Sequence, residues 1–362
     1  MSKEILLSHL ELYVGDAAAG AAGFVEKYGF EVVETSGLPD EGDDHYSVAL
    51  RQGGVRLLLT EPRSEEHPAH AYLAAHGEGV VDIALRVPDV AAAFDDAVAR
   101  GARSLMPPAP VGGSHGIVTA VIDGCGSVRH TLVQESPQSD DTAWLHGFAT
   151  AESASGGLTG EEVGLLAVDH FALCLGAGEL DPAVAYYESV LGFETVFEER
   201  VVVGAQAMLS RVVQSASRAV TLTLLEPDTS AAPGQIDDFV ENHGGSGVQH
   251  VAFSTDDVVR TVSVLRERGV EFLEVPDAYY GMLAEHLTLA AHTTAELRRL
   301  QILADQDHDG QLFQIFTRST HERRTFFLEI IERLGARTFG SGNIKALYEA
   351  VEVERTQPRV LS

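Results

Sequence analysis

LSHLELYVGDAAAGAAGFVEKYGFEVVE, residues 7–34, alternates apolar and polar positions up to Val14, takes helical spacing after Asp16 and returns to alternation at Gly29-Phe30. A period of two, then one near 3.6, then two again reads as strand, helix, strand. The same order recurs in VDHFALCLGAGELDPAVAYYESVLGFETVFE, residues 168–198, where Gly192-Phe193 again opens the second strand. GEGVVDIALRVPDVAAAFDDAVARGARSL (77–105) and GSGVQHVAFSTDDVVRTVSVLRERGVEFL (245–273) form a second matching pair. Between them, VALRQGGVRLLLTEP (48–62) and RVVQSASRAVTLTLLEP (211–227) alternate around Gly/Ser-rich turns and close on Glu-Pro, as hairpins do. Self-similarity on this scale decides the architecture before any single element does. The chain reads as α+β: four βαβββ modules paired into two domains, each an open, curved mixed-sheet barrel with helices on one face. The first domain is expected over residues 1–136 and a linker over 137–164, where Ser, Gly, Asp and Thr displace the apolar pattern. The second domain follows over 165–362, ending in a C-terminal helix, from Thr338 onward, that packs back as a lid.

The charge balance narrows the function. The 362 residues carry 25 basic and 54 acidic side chains, a net charge of −29, which repels phosphate backbones and anionic membrane surfaces. Nucleic acid and membrane are therefore not expected as partners. Cys125 and Cys174 are too few for a disulfide framework, and the start MSKEILLSHL has no basic and apolar leader pattern, so a cytoplasmic protein is expected. No apolar run approaches the ~18 residues of a membrane span.

The repeat supplies an internal control for candidate chemistry. His9 in the first half matches His170 in the second, and Asp82 matches His250. The closing strand RHTLVQE (129–135) is set beside FLEIIER (327–333), with apolar Leu132 as the counterpart of Glu329. Only the second half then offers His170, His250 and Glu329 together. Separations of about 80 residues exclude a local loop site but suit three strands of one curved sheet pointing inward. Two imidazoles and one carboxylate on one face of a metal are the ligand set of non-haem Fe(II) oxygenases. An ionised Glu329 sharing a strand face with Phe327 and Ile331 also needs a cation, since an unpaired buried carboxylate costs several kcal/mol. Other features read as structural. Gln249 is expected to point away from His250, Cys174 to pack, DQDHDG (305–310) to form a hairpin turn and HERR (321–324) a solvated turn. Gln314 is a candidate for facing the cavity.

In the order VDHFAL (from Val168), GVQHVAF (from Gly247), GQLFQIFT (from Gly310) and FFLEIIER (from Phe326), the chain resembles the 4-hydroxyphenylpyruvate dioxygenase family of the vicinal oxygen chelate superfamily. The resemblance covers nearly the whole chain. It implies the vicinal oxygen chelate fold, an N-terminal copy without metal, and Fe(II) held by His170, His250 and Glu329. It also implies a pocket shaped by Ser210, Thr223, Leu225, Gln314, Phe316, Phe327, Phe339 and Asn343. The homogentisate-forming members usually carry a PINEP-like string where this chain has TLLEP, with Thr223 for Pro and Leu225 for Asn. With VVVGAQAM (201–208), that departure resembles the 4-hydroxymandelate synthase branch, whose members use the same 4-hydroxyphenylpyruvate and O₂. The implied reaction is oxidative decarboxylation with benzylic hydroxylation to 4-hydroxymandelate and CO₂. The implied setting is a homodimer serving antibiotic biosynthesis. Homogentisate formation is the alternative, and a non-catalytic binding or resistance protein of the same superfamily is a remote one.

Overall fold

The computed structural model describes residues 4–36, 43–111, 117–135, 149–150 and 160–338, together with Asn343. In the N-terminal half the strands are β1 (Leu6–Tyr13), β2 (Glu31–Ser36), β3 (His45–Gln52), β4 (Val55–Pro62), β5 (Gly79–Arg86), β6 (Ser104–Pro110), β7 (Val118–Asp123), β8 (Arg129–Gln134) and the two-residue β9 (Ala149–Thr150). The C-terminal half has β10 (Ala167–Cys174), β11 (Glu194–Val203), β12 (Gln206–Gln214), β13 (Thr221–Pro227), β14 (Gly247–Ser254), β15 (Leu303–Gln306), β16 (Gln311–Phe316) and β17 (Phe327–Leu334). They form two mixed sheets, ordered β6-β7-β8-β5-β1-β4-β3-β2-β9 and β11-β12-β13-β10-β14-β17-β16-β15.

The repeat read from sequence explains both orders. The first strands of two modules pair antiparallel at the centre of each sheet, β1 with β5 and β10 with β14. Each first strand also lies parallel to the last strand of its own module: β1 to β4, β5 to β8, β10 to β13 and β14 to β17. A parallel pair needs a crossover. Helices Ala17–Gly23, Val90–Ala99, Leu180–Tyr186 and Val258–Glu267 occupy the start of these crossovers. Asp16, Asp89 and Asp257 cap three of them, each accepting from a backbone N–H three residues on. Gly29 (φ 76°) and Gly192 (φ 68°) end the helical segment at matching places, in the left-handed conformation that glycine adopts without a Cβ penalty.

The fourth module departs from the regular pattern. After helix Val258–Glu267 its next strand is reduced to a single bridge, Phe272 to Thr317, and helices Asp277–His286 and Thr294–Leu300 intervene before β15. Pro276 ahead of the first and a reciprocal Thr293/Glu296 capping box on the second fix their starts.

β13 is buried along its whole length, as are β16 and all of β14 but Ser254. An open sheet would expose one face of each, so the concave face is closed as well as the helix-bearing one. Helix-side residues such as Val251, Phe253, Leu222 and Leu224 join a core continuous with the N-terminal half, where Phe30 meets Phe253 with ring centroids 6.2 Å apart. Concave-side residues form separate small clusters; Cys174 packs in one of them with Met208, Leu225, Ile236 and Phe239.

Several readings are corrected. HERR is a turn with Glu322 and Arg324 exposed, but its other two residues are engaged. Arg323 donates to the Ala74 and Ala75 carbonyls of the first half at 3.0 and 2.6 Å, and the His321 ring meets the Glu78 carbonyl at 3.2 Å. The turn therefore ties the two halves together. β5 and β8 pair Asp82 with Arg129, as β14 and β17 pair His250 with Phe327, so the counterpart of Glu329 is Thr131. Leu132 lies on the opposite, core-facing side. DQDHDG is a turn, and Asp307 within it also accepts from the Arg337 and Thr338 amides, both at 2.7 Å. Within residues 137–164, Ala149–Thr150 pair along β2 and Gly160–Val163 form a helical turn. Apart from Thr338 and Asn343, the stretch expected as a lid helix, Phe339 included, lies outside the described residues.

Candidate metal centre

His170, His250 and Glu329 stand on β10, β14 and β17, neighbours at the middle of the C-terminal sheet. The register sets His170 and Glu329 on either side of Ala252, with His250 two residues back on the same face. Ala172 lies opposite His250, so the small side chains of Ala172 and Ala252 leave room where the three ligand-type groups converge. Glu329 Oε2 lies 3.3 Å from His170 Nε2 and 3.4 Å from His250 Nε2. One ligand atom from each residue falls within 4.8 Å of the others.

All three are nearly sealed from solvent, Glu329 at 2 % exposure, and among the described residues its Oε1 has no hydrogen-bond partner. A buried carboxylate oxygen left unpaired is costly. Burial opposes ionisation of Glu329, yet the adjoining imidazoles hold its pKa down at about 2. Burial likewise lowers His170, but Glu329 and Asp169 outweigh it and raise it to about 9, whereas at His250 burial prevails and the ring is lowered. The site thus draws one positive charge to Glu329. A divalent cation meets the same demand, gives Oε1 a partner and leaves both imidazoles as neutral donors. The residues present fit a metal.

Sequence reasoning missed the groups behind the ligands. The His170 Nδ1 lies 2.8 Å from Asp169 Oδ1, and Arg333 grips Asp169 through two contacts of 2.8 Å. Gln249 Oε1 lies 3.2 Å from His250 Nδ1, against the expectation that it points away. The reason is a register shift. The pairing of β10 with β14 slips by one residue between Val168 and His170, and again between Ala172 and Leu173, opposite Gln249. Each slip is a bulge that turns the residue preceding a histidine toward that ring. Phe327 stacks on His250 at 4.9 Å, and Phe316 meets its edge at 5.9 Å.

The expected pocket residues are distributed along the same concave face. Ser210, Thr223, Leu225, Gln314 and Phe316 are all buried there. Ser210 pairs with Leu225 across β12 and β13, Thr223 lies opposite Ala172, and Phe316 lies opposite Glu329. Thr223 Oγ1 has no hydrogen-bond partner among the described residues. Asn343 is buried too, but at the β15 edge: its amide faces Asp305 and its Oδ1 accepts from the Tyr279 hydroxyl, both at 3.3 Å. Beside the centre, Phe327 and Gln249 line a cavity of about 170 Å³ with Phe239, Asn242 and Arg324.

Among the described residues two other clusters have the composition of a metal site. In Asp257, His292 and Glu332 the groups are already committed: His292 donates to Glu332 at 2.8 Å, and Glu332 and Asp257 hold amides at the start of helix Val258–Glu267. In Asp44, His45 and His67, His67 Nδ1 accepts from the Ala69 amide, which leaves the proton of the neutral ring on Nε2.

The comparisons agree with this geometry. The pattern of the Glyoxalase/Bleomycin resistance protein/Dioxygenase superfamily matches residues 6–149 and 167–315, one match per half. The chain is 35 % identical to the 4-hydroxyphenylpyruvate dioxygenase of Dictyostelium discoideum over 95 % of its own length and 96 % of that protein, and 33 % identical to that of Caenorhabditis elegans over 98 % and 92 %. Among solved structures, a triple mutant of 4-hydroxymandelate synthase from Streptomyces coelicolor superposes with a TM-score of 0.86 at 39 % identity, covering 97 % of this chain and 98 % of that one. The chain belongs to the Glyoxalase/Bleomycin resistance protein/Dioxygenase superfamily and, within it, to the 4-hydroxyphenylpyruvate dioxygenase family.

Proposed function

We propose that the chain is a non-haem Fe(II) dioxygenase that converts 4-hydroxyphenylpyruvate and O₂ to 4-hydroxymandelate and CO₂. The observation carrying this reading is the convergence of His170, His250 and Glu329, with Glu329 Oε1 unpartnered among the described residues, in the interior of the C-terminal sheet. Bound there, Fe(II) would supply a redox-active Lewis acid with positions left for a chelating 2-oxo acid and dioxygen. The chain's own residues do the rest. His170, His250 and Glu329 hold the metal from one side, and the burial of β13, β14 and β16 keeps water from the reacting groups. Phe316 and Phe327 present apolar surface beside His250 for an aromatic ring. The substrate is its own reductant: loss of CO₂ accounts for one atom of O₂ and hydroxylation for the other, so no separate 2-oxoglutarate is required.

Whether oxygen enters at the benzylic carbon or the ring rests on Thr223 and Leu225. Leu225 packs with Met208, Ile236 and Phe239 and has no group to hydrogen-bond a phenol, where an Asn amide would have one. A single hydrogen bond in a dry site contributes about 0.5–1.5 kcal/mol, enough to shift a product ratio up to roughly tenfold. The test is chromatographic separation of the two isomeric products formed from 4-hydroxyphenylpyruvate, Fe(II) and O₂. The expected product is 4-hydroxymandelate, with ring-oxidised material appearing on Thr223→Pro combined with Leu225→Asn. Homogentisate as the dominant wild-type product overturns the branch assignment and leaves the metal site standing.

A further inference from the structure

We infer that Asp169 and Arg333 are positioning residues for His170, a carboxylate–guanidinium pair that fixes which nitrogen of that ring faces the metal and in what direction. This rests on the reading of His170 as a ligand. A neutral imidazole that donates Nε2 to a metal carries its proton on Nδ1, and that N–H needs an acceptor to hold the tautomer and the ring plane. Asp169 Oδ1 is that acceptor at 2.8 Å, and both its oxygens are held by Arg333 at 2.8 Å. Residues adjacent on a regular strand point to opposite faces, so a carboxylate next in sequence to a ligand would ordinarily be useless to it. The bulge between Val168 and His170 removes that obstacle. Arg333 is fixed from its other side, donating to the Thr338 carbonyl at 2.7 Å and the Ala336 carbonyl at 3.4 Å, while Asp307 holds the Thr338 amide and hydroxyl at 2.7 and 3.0 Å. The pair has no net charge, so it orients the ring and leaves the charge at the metal to Glu329.

The other half of the molecule is the control. Its first strand has the same bulge, between Leu7 and His9, and the residue before the histidine is Ser8, whose Oγ lies 3.1 Å from His9 Nδ1. The position matching Arg333 is Glu135, which faces Arg56 and Arg86 at 3.1 and 2.9 Å. The bulge is therefore a property of the fold, whereas the carboxylate and its guanidinium occur only beside the complete ligand set.

The test is anaerobic Co(II) titration of the full chain, read by the visible absorption of the bound ion, alongside proton NMR of the Zn(II)-loaded protein. Asp169→Asn and Arg333→Gln are each expected to weaken Co(II) binding about 10- to 100-fold, the usual effect of removing a group behind a ligand. The double variant is expected to be no weaker than the weaker single one, because the two act as a unit. The downfield His170 Nδ1–H resonance should shift or exchange out in both, Arg333→Lys should recover part of the affinity, and Ser8→Ala with Glu135→Gln should stay within twofold of wild type. Folded Asp169→Asn and Arg333→Gln proteins that bind Co(II) within twofold of wild type overturn the inference. If Arg333→Gln does not fold, the isosteric Asp169→Asn decides alone by the same criterion. Failure of the underlying ligand reading looks different: Glu329→Ala would then bind Co(II) as tightly as wild type.

Discussion

At the centre of each sheet the same three strand positions face inward, and the two halves fill them differently. In the C-terminal half they are His170, His250 and Glu329, with Phe327 beside His250. In the N-terminal half they are His9, Asp82 and Thr131, with Arg129 in the place of Phe327. Arg129 donates to Asp82 at 2.9 Å and to Glu11 at 2.6 Å; Asp82 also accepts from the Thr131 amide at 2.9 Å, and Glu11 from the Thr60 hydroxyl at 2.8 Å. The N-terminal carboxylates thus share a cation that belongs to the chain. Among the described residues the Glu329 carboxylate has no such guanidinium contact and keeps an oxygen without a hydrogen-bond partner. Two of the three inward residues and the arginine in the place of Phe327 together separate a closed structural centre from a candidate metal centre.

The largest expected effect comes from removing the ligand that differs. Glu329→Ala should bring turnover of 4-hydroxyphenylpyruvate to background, whereas Asp82→Asn and His9→Ala should leave turnover near wild type, measured as O₂ uptake. Comparable losses in both halves would break the distinction. Next in size is the cost of opening the N-terminal network. Arg129→Met removes the cation shared by Asp82 and Glu11 and should lower the unfolding free energy by about 3 kcal/mol, the lower end for a buried charge because Arg129 retains some solvent contact. Urea denaturation should show this with Co(II) affinity unchanged, and a loss below about 0.5 kcal/mol would mean the network is dispensable.

The smallest effect is a pH dependence confined to the N-terminal centre. Burial, with Arg56 and Arg129 nearby, lowers the His9 imidazole to about 3. A histidine depressed in the fold takes its proton first in the unfolded chain, so its contribution is complete above pH 6.5 and is lost as pH falls from there toward 3. Between pH 6.5 and 5 the wild type should lose about 1 kcal/mol per pH unit more than His9→Asn does. Parallel curves for the two proteins would show that His9 is not held neutral.

The sequence made the duplication and the three candidate ligands legible because both rest on local pattern: alternation, Gly-Phe joints, and residue types in matched strands. What it hid depends on register and distance. Taking Leu132 for Thr131 as the partner of Glu329 is a one-residue slip, and on a strand that exchanges the core face for the interior face. Gln249 was assigned away from His250 by strict alternation, which the bulge suspends. Asp169 and Arg333 meet across 164 residues, and the turn at His321–Arg324 reaches Ala74 and Ala75 across the junction of the halves. No periodicity announces such contacts. The two helices inserted in the fourth module were hidden because the first three modules lack them.

On the proposed reading this duplicated chain holds a metal in one half only, at His170, His250 and Glu329. Equilibrium dialysis of the full chain against Fe(II) under anaerobic conditions, with metal counted by elemental analysis, tests it most directly. One equivalent is expected for the wild type and for Asp82→Asn, and none for Glu329→Ala. Retention of one equivalent by Glu329→Ala, or its loss in Asp82→Asn, would contradict the account.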